Sequence, residues 1–150
     1  MALDDLLNLS KERKKVGISE ERIQAIVPQM REYIAFWREY PDMFIDFLLT
    51  CGNPQNFKFY FYQRVFLRAA MRHQYMYAVF PRAYSKSFLS MMVLMIRCVL
   101  YPKCKLFVTS GGKEQAAGIM KEKVQEICTL IPAFNKEIDW SRGKTLEGKD

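Results

Sequence analysis

At 150 residues the chain is long enough for one modest domain; half of its residues are hydrophobic and 14% aromatic, which supplies a core and excludes a globally disordered protein. The formal charge of +7 and a pI of about 9.3 favour an acidic partner such as nucleic acid, without separating DNA from RNA or from a membrane surface. Cys51, Cys98, Cys104 and Cys128 lack C-x-x-C spacing and the one histidine is His73, so a zinc set is excluded and the reduced cysteines of a cytosolic protein are expected.

Residues 1–17 are polar, with a Lys11-Glu-Arg-Lys-Lys15 cluster, and read as a short helix or loose tail; the opening Met1-Ala-Leu-Asp-Asp5 carries early acids and no signal-peptide pattern. Ser19, then Glu20 and Glu21, is a helix start, with a capping hydroxyl and acids in the first turn. Pro28 is expected to break or restart that helix, and Met30, Ile34 and Trp37 carry helical spacing on through Tyr40. Pro41-Asp42 opens a short apolar helix, Met43 to Leu49. The turn cluster Cys51-Gly-Asn-Pro-Gln55 is the best boundary, dividing an N-terminal helical region, 1–55, from a second region, 56–150.

Phe59, Tyr62, Val65, Phe66 and Ala69 mark an amphipathic helix to about Arg72, and Tyr75 to Phe80 reads as a strand. Phe88 to Leu100 is too short and, with Arg97, too polar to span a bilayer, so a buried helix over 86–100 and no membrane span are expected. Tyr101-Pro102 stops it, Lys105 to Ser110 reads as a second strand, and Gly111-Gly112 as a turn. Lys113 to Ile131 is a helix with Ala116, Ile119, Met120, Val124 and Ile127 on one side; the polar stretch from Asn135 to Asp150 has the look of a hairpin start. Strand 75–80, helix 86–100 and strand 105–110 make a βαβ unit with parallel strands and a right-handed crossover. The expected fold is therefore α/β: a P-loop NTPase-like three-layer sandwich preceded by a helical region, incomplete in these residues because further strands are missing.

The octet Phe80 to Ser87, F-P-R-A-Y-S-K-S, lies between that strand and that helix. Strand, loop, Lys-Ser, helix is the layout in which backbone N–H groups cradle polyphosphate, a lysine reaches the β- and γ-phosphates and a hydroxyl holds Mg²⁺. Both glycines of G-x-x-x-x-G-K-[ST] are replaced, the first by Phe80 and the second by Ser85. Lys86 and Ser87 supply the cation and the hydroxyl, and Arg82 adds a second cation. A tidier Gly-Lys-Thr in Ser141-Arg-Gly-Lys-Thr145 has the wrong flanks, Glu137-Ile-Asp-Trp140 before it and Leu146-Glu-Gly-Lys-Asp150 after, and reads as a polar turn.

The order of these pieces resembles the ATPase domain of the large terminase subunits that package viral DNA. Phe61-Tyr62-Gln63 is similar to that family's adenine-recognising Tyr-Gln element. Pro81 to Ser87 resembles its deviant Walker A, with an arginine four residues before the lysine and variable glycines. Leu106 to Ser110 followed by Lys113-Glu-Gln-Ala116 resembles the segment after its second strand, and Glu39 to Phe47 the helical region before the core. The resemblance implies ATP and Mg²⁺ as cofactors, with Gln63 on the adenine edge and Tyr62 packing nearby. It places the phosphates on the loop Arg82-Ala83-Tyr84-Ser85-Lys86-Ser87, with Lys86 and Arg82 as the catalytic cations and Ser87 on Mg²⁺. It further implies a motor on double-stranded DNA, working with a small terminase subunit and a portal protein, as a ring when full length, in the host cytoplasm and transiently at the procapsid.

The chain departs from the family in lacking an apolar strand that ends in Asp-Glu, so the metal-binding acid and the water-activating glutamate are not found, nor are the coupling motif and the nuclease acids. Nucleotide binding without efficient hydrolysis is expected of these residues alone. Two other readings stand beside the motor: a helicase-like P-loop ATPase, and a non-enzymatic basic module that binds nucleic acid through its phosphates.

Overall fold

A computed structural model describes residues 20–109, 111–141 and 145–148. The chain divides into two compact units between Ala35 and Phe36. In the first, the described residues belong to the long helix α1 (Glu20–Glu39), which continues without a break through Pro28. The expected interruption does not occur: a proline's fixed φ is itself helical, and the loss of a hydrogen bond does not end a helix whose neighbouring residues still propagate it. The tail at 1–17 and the Ser19 cap lie outside the described residues.

The second unit is built from α2 (Pro41–Thr50), α3 (Phe61–Arg72), α4 (Lys86–Leu100), α5 (Lys113–Leu130) and the short α6 (Phe134–Glu137), followed by a hairpin of β1 (Ile138–Ser141) and β2 (Thr145–Gly148). The hairpin is antiparallel, with its register running from Ile138 opposite Gly148 to Ser141 opposite Thr145. Of the rejected Gly-Lys-Thr segment, residues 142–144 lie outside the described residues.

Helix α4 occupies the centre. Its run of Phe, Leu, Met, Val and Ile has no glycine or proline, and it ends where Pro102 disfavours helical angles at Tyr101. Leu89, Met92, Met95 and Ile96 are fully buried, with Ile45 of α2, Leu67 of α3, Ile127 of α5 and Phe134 of α6 in the same core. Each such side chain contributes roughly 1.5–3 kcal/mol relative to exposure. The C-terminal carbonyl of α4, on Leu100, accepts hydrogen bonds from Arg38 Nε at 2.9 Å and Nη2 at 2.6 Å, where a cation also opposes the negative end of the helix dipole.

Helices α2 and α3 are clamped by charge. Pro41 takes the first helical position, where its missing N–H costs nothing, and Asp42 follows in the first turn with no exposed surface. Its carboxylate accepts hydrogen bonds from Arg68 Nε at 2.7 Å, Arg68 Nη2 at 2.9 Å and Arg64 Nη1 at 3.1 Å. Arg64 also binds Asp46, at 2.6 and 3.0 Å. Burial pushes the Asp42 carboxyl up, but the hydrogen bonds from Arg68 and Arg64 outweigh it and leave the group below its ordinary value.

The parallel sheet is not formed, and the α/β sandwich gives way to a mostly helical arrangement. Residues 75–80 and 105–109 are not strands, and among the described residues no backbone–backbone hydrogen bond reaches them. Tyr75, Tyr77 and Val79 are 86%, 92% and 77% exposed, and Phe107 is 84% exposed. Apolar alternation fits a residue run for a sheet, but a strand exists only when a neighbour completes its ladder. Ser110 lies outside the described residues. Among the described residues no helix is long and apolar enough to cross a membrane.

Candidate phosphate-binding site

The loop before α4 is pinned by aromatic contacts. Phe80 meets Phe66 of α3 edge-on at 5.3 Å between ring centroids, Tyr84 meets Tyr62 of α3 at 5.1 Å, and the buried Phe88 meets Phe57 at 6.0 Å. Phe80 therefore replaces the first expected glycine with an anchor, and it does not adopt a positive φ. Ala83 and Ser85 do, at 65° and 55°. Ser85, at the place of the second glycine, thus holds the left-handed conformation that glycine adopts freely, at a cost of roughly 1–2 kcal/mol for a residue with a Cβ.

Ser85 is also the residue at which α4 begins, and its side chain makes no capping hydrogen bond. The first amides of α4 lack intrahelical partners, and the positive end of the dipole lies with them. Residues 80–88 line an open cleft of ≈ 450 Å³ together with Lys123 and Glu126 of α5. Helix α5 is brought there by packing along α4, through Val124 and Ile127, which are both buried.

Arg82, Ala83, Tyr84, Ser85, Lys86 and Ser87, the loop residues singled out in the sequence, thus share one cleft. Arg82 and Lys86 are exposed, and among the described residues no carboxylate lies within ion-pairing distance of either. Ser90 Oγ donates to the Lys86 carbonyl at 2.9 Å, securing the first turn. Tyr62 reaches the loop through Tyr84, and its ring is also parallel to that of Tyr60, at 6.1 Å.

Gln63 is brought near but is engaged elsewhere. It is buried; its Oε1 accepts the Tyr60 N–H at 3.0 Å and its Nε2 donates to Tyr62 Oη at 3.4 Å. The first of these bonds is half of a capping box, so Gln63 closes the start of α3 and steadies Tyr62. The buried face of α3 is Gln63, Leu67 and Met71, with Tyr62 and Phe66 partly covered and Val65 exposed. A Gln three residues after the cap position was the readable signal; without a Ser or Thr at Tyr60 it was faint.

Lys123 and Glu126 are the cleft residues that sequence reasoning missed. Lys123 Nζ lies 2.7 Å from Glu126 Oε2 and 3.0 Å from Glu122 Oε1, and the bond to Glu126, then that to Glu122, holds its ammonium above the ordinary lysine value. Lys123 borders the apolar stripe Met120, Val124 and Ile127, which was legible; what that border faces was not.

As a donor set the cleft suits a polyanion: two cations without an ion-pair partner among the described residues, a hydroxyl and the first helix amides. For Mg²⁺ it offers the Ser87 hydroxyl and the Glu126 carboxylate, a sparse set that suits an ion which keeps waters and takes its other ligands from phosphate. Among the described residues no group of three or more His, Cys, Asp or Glu side chains is placed to hold a metal by itself. No protein-family model, curated protein or solved structure matches this chain.

Proposed function

We propose that the cleft between the 80–88 loop and α5 binds the phosphates of ATP with Mg²⁺, and that the chain is the nucleotide-gripping part of a viral DNA-packaging motor of the terminase kind. The observation that supports it is the convergence of Arg82, Lys86 and Ser87 on one cleft at the start of α4, with positive φ at the second glycine position. Lys86 and Arg82 offset the phosphate charge, the loop and α4 amides donate hydrogen bonds to the phosphate oxygens, and Tyr62 with Tyr84 offers aromatic surface beside the loop for a base. Ser87 and Glu126 would hold Mg²⁺, which would supply positive charge against the phosphates. The motor assignment rests on the order of Tyr62-Gln63, the arginine-bearing loop and the Lys113-Glu-Gln-Ala116 segment. The double-stranded DNA partner is supported by the net charge of +7, which suits salt-sensitive contacts to the DNA backbone.

The test is calorimetric titration of MgATP into the protein and into Lys86→Ala. Saturable binding that the substitution abolishes is expected. Binding of the same strength in Lys86→Ala would sink the assignment. DNA affinity in the complete absence of ATP binding would instead favour the non-enzymatic basic module.

A further inference from the structure

The Lys123–Glu126 ion pair of α5 lines the same cleft as the loop, and it changes what the site does with charge. Lys86 and Arg82 come from the loop, but Lys123 comes from a helix some thirty-seven positions later, and all three line one cavity. Lys123 differs from the other two in being occupied: Glu126 and Glu122 both hold its ammonium. Glu126 is itself a lining residue of the cleft, so the ammonium it holds is engaged within the site.

We propose that Lys123 is a further phosphate-binding cation of this cleft and that Glu126 is its competitor, so that an arriving polyphosphate displaces the carboxylate from the ammonium. This rests on the phosphate-binding reading of the loop and extends it to α5. A lysine suits the exchange: its compact charge on a flexible stem re-aims without a fixed fork geometry. A triphosphate carries more charge than a single carboxylate and accepts from several donors at once, so it outcompetes Glu126 where a monophosphate does so weakly. Glu122 keeps part of the Lys123 charge balanced after Glu126 is displaced, because it pairs with the same ammonium from the adjacent helix position.

The experiment uses inorganic tripolyphosphate and ATP as probes, without Mg²⁺, on the unmodified protein, Lys86→Ala, Lys123→Gln, Glu126→Gln and the double variant Lys123→Gln/Glu126→Gln. Circular dichroism and thermal melts confirm that each is folded. Lys123→Gln is expected to weaken both probes about tenfold, as loss of one charge-assisted contact does. Glu126→Gln is expected to tighten tripolyphosphate several-fold, on the order of the same contact regained. The double variant is expected to bind like Lys123→Gln, since the effect of Glu126 acts through the ammonium. A purely structural pair would make Glu126→Gln weaker or neutral, and that result overturns the inference. Binding that needs Lys86 but is indifferent to Lys123 also overturns it while leaving the proposed function intact. Tripolyphosphate binding that needs Lys123, with no binding of ATP, supports the inference and sinks the nucleotide assignment. No binding of either probe to the unmodified protein overturns both.

Discussion

The apolar run of α4 and the apolar run before the loop go opposite ways. Leu89, Met92, Met95 and Ile96 are buried, whereas Tyr75, Tyr77 and Val79 stand in solvent. A helix satisfies its backbone within itself, so α4 is free to turn a whole face to α2, α3, α5 and α6. An extended run leaves its N–H and C=O groups open until a second strand arrives. The two runs also meet different surroundings: α4 abuts helices locked together by the Asp42–Arg64–Arg68 cluster, and residues 75–79 abut nothing that buries them.

The hardest test of this contrast is at Asp42. Its replacement by alanine leaves Arg68 without its buried carboxylate and is expected to cost about 3 kcal/mol, near the lower end for breaking a buried pair because Arg68 is partly solvated. Urea unfolding monitored by circular dichroism measures it, and a loss below about 1 kcal/mol would erase the distinction between the packed and open regions. The same carboxylate has its folded pKa below the ordinary value of 3.8, with burial opposing and the Arg68 and Arg64 hydrogen bonds prevailing. Its contribution is therefore complete above that value and is lost as pH falls through the folded pKa. Asp42→Asn is expected to flatten the acid limb of the stability–pH curve.

A smaller effect sharpens the boundary between the two regions. Ser85 holds a φ of 55° at the start of α4, so glycine there relieves the Cβ and valine aggravates it. The two variants are expected to differ in unfolding free energy by about 1–2 kcal/mol, with Gly above Val. Equal stabilities would mean that the left-handed turn is not what joins loop to helix. The smallest effect belongs to Tyr77, which is 92% exposed. Tyr77→Ser is expected to leave the melting free energy within about 0.5 kcal/mol, and a larger loss would show that this run is covered after all.

Much of the site was legible because it is local. The boundary at Ser85-Lys86, the end of α4 at Tyr101-Pro102 and the cationic loop all come from residues within a few positions of one another. Gln63 was harder: its side chain turns back onto the Tyr60 amide, an interaction its position in the pattern mimics with an exposed helix residue. The aromatic anchors Phe66–Phe80 and Phe57–Phe88 join residues separated by intervening helix and loop. So do Lys123 and Glu126, whose place in the cleft follows from how α5 lies on α4.

By itself the sequence determined α2 to α5 and the charged and hydroxyl groups of the loop, because helical hydrogen bonds close between nearby residues and Arg82, Lys86 and Ser87 carry their chemistry with them. Only the tertiary structure decided that 75–80 and 105–109 remain unpaired, that Gln63 turns inward and that α5 closes the cleft with a lysine already held by glutamate. Each of those depends on which distant segment arrives as a partner, and no local pattern specifies an arrival.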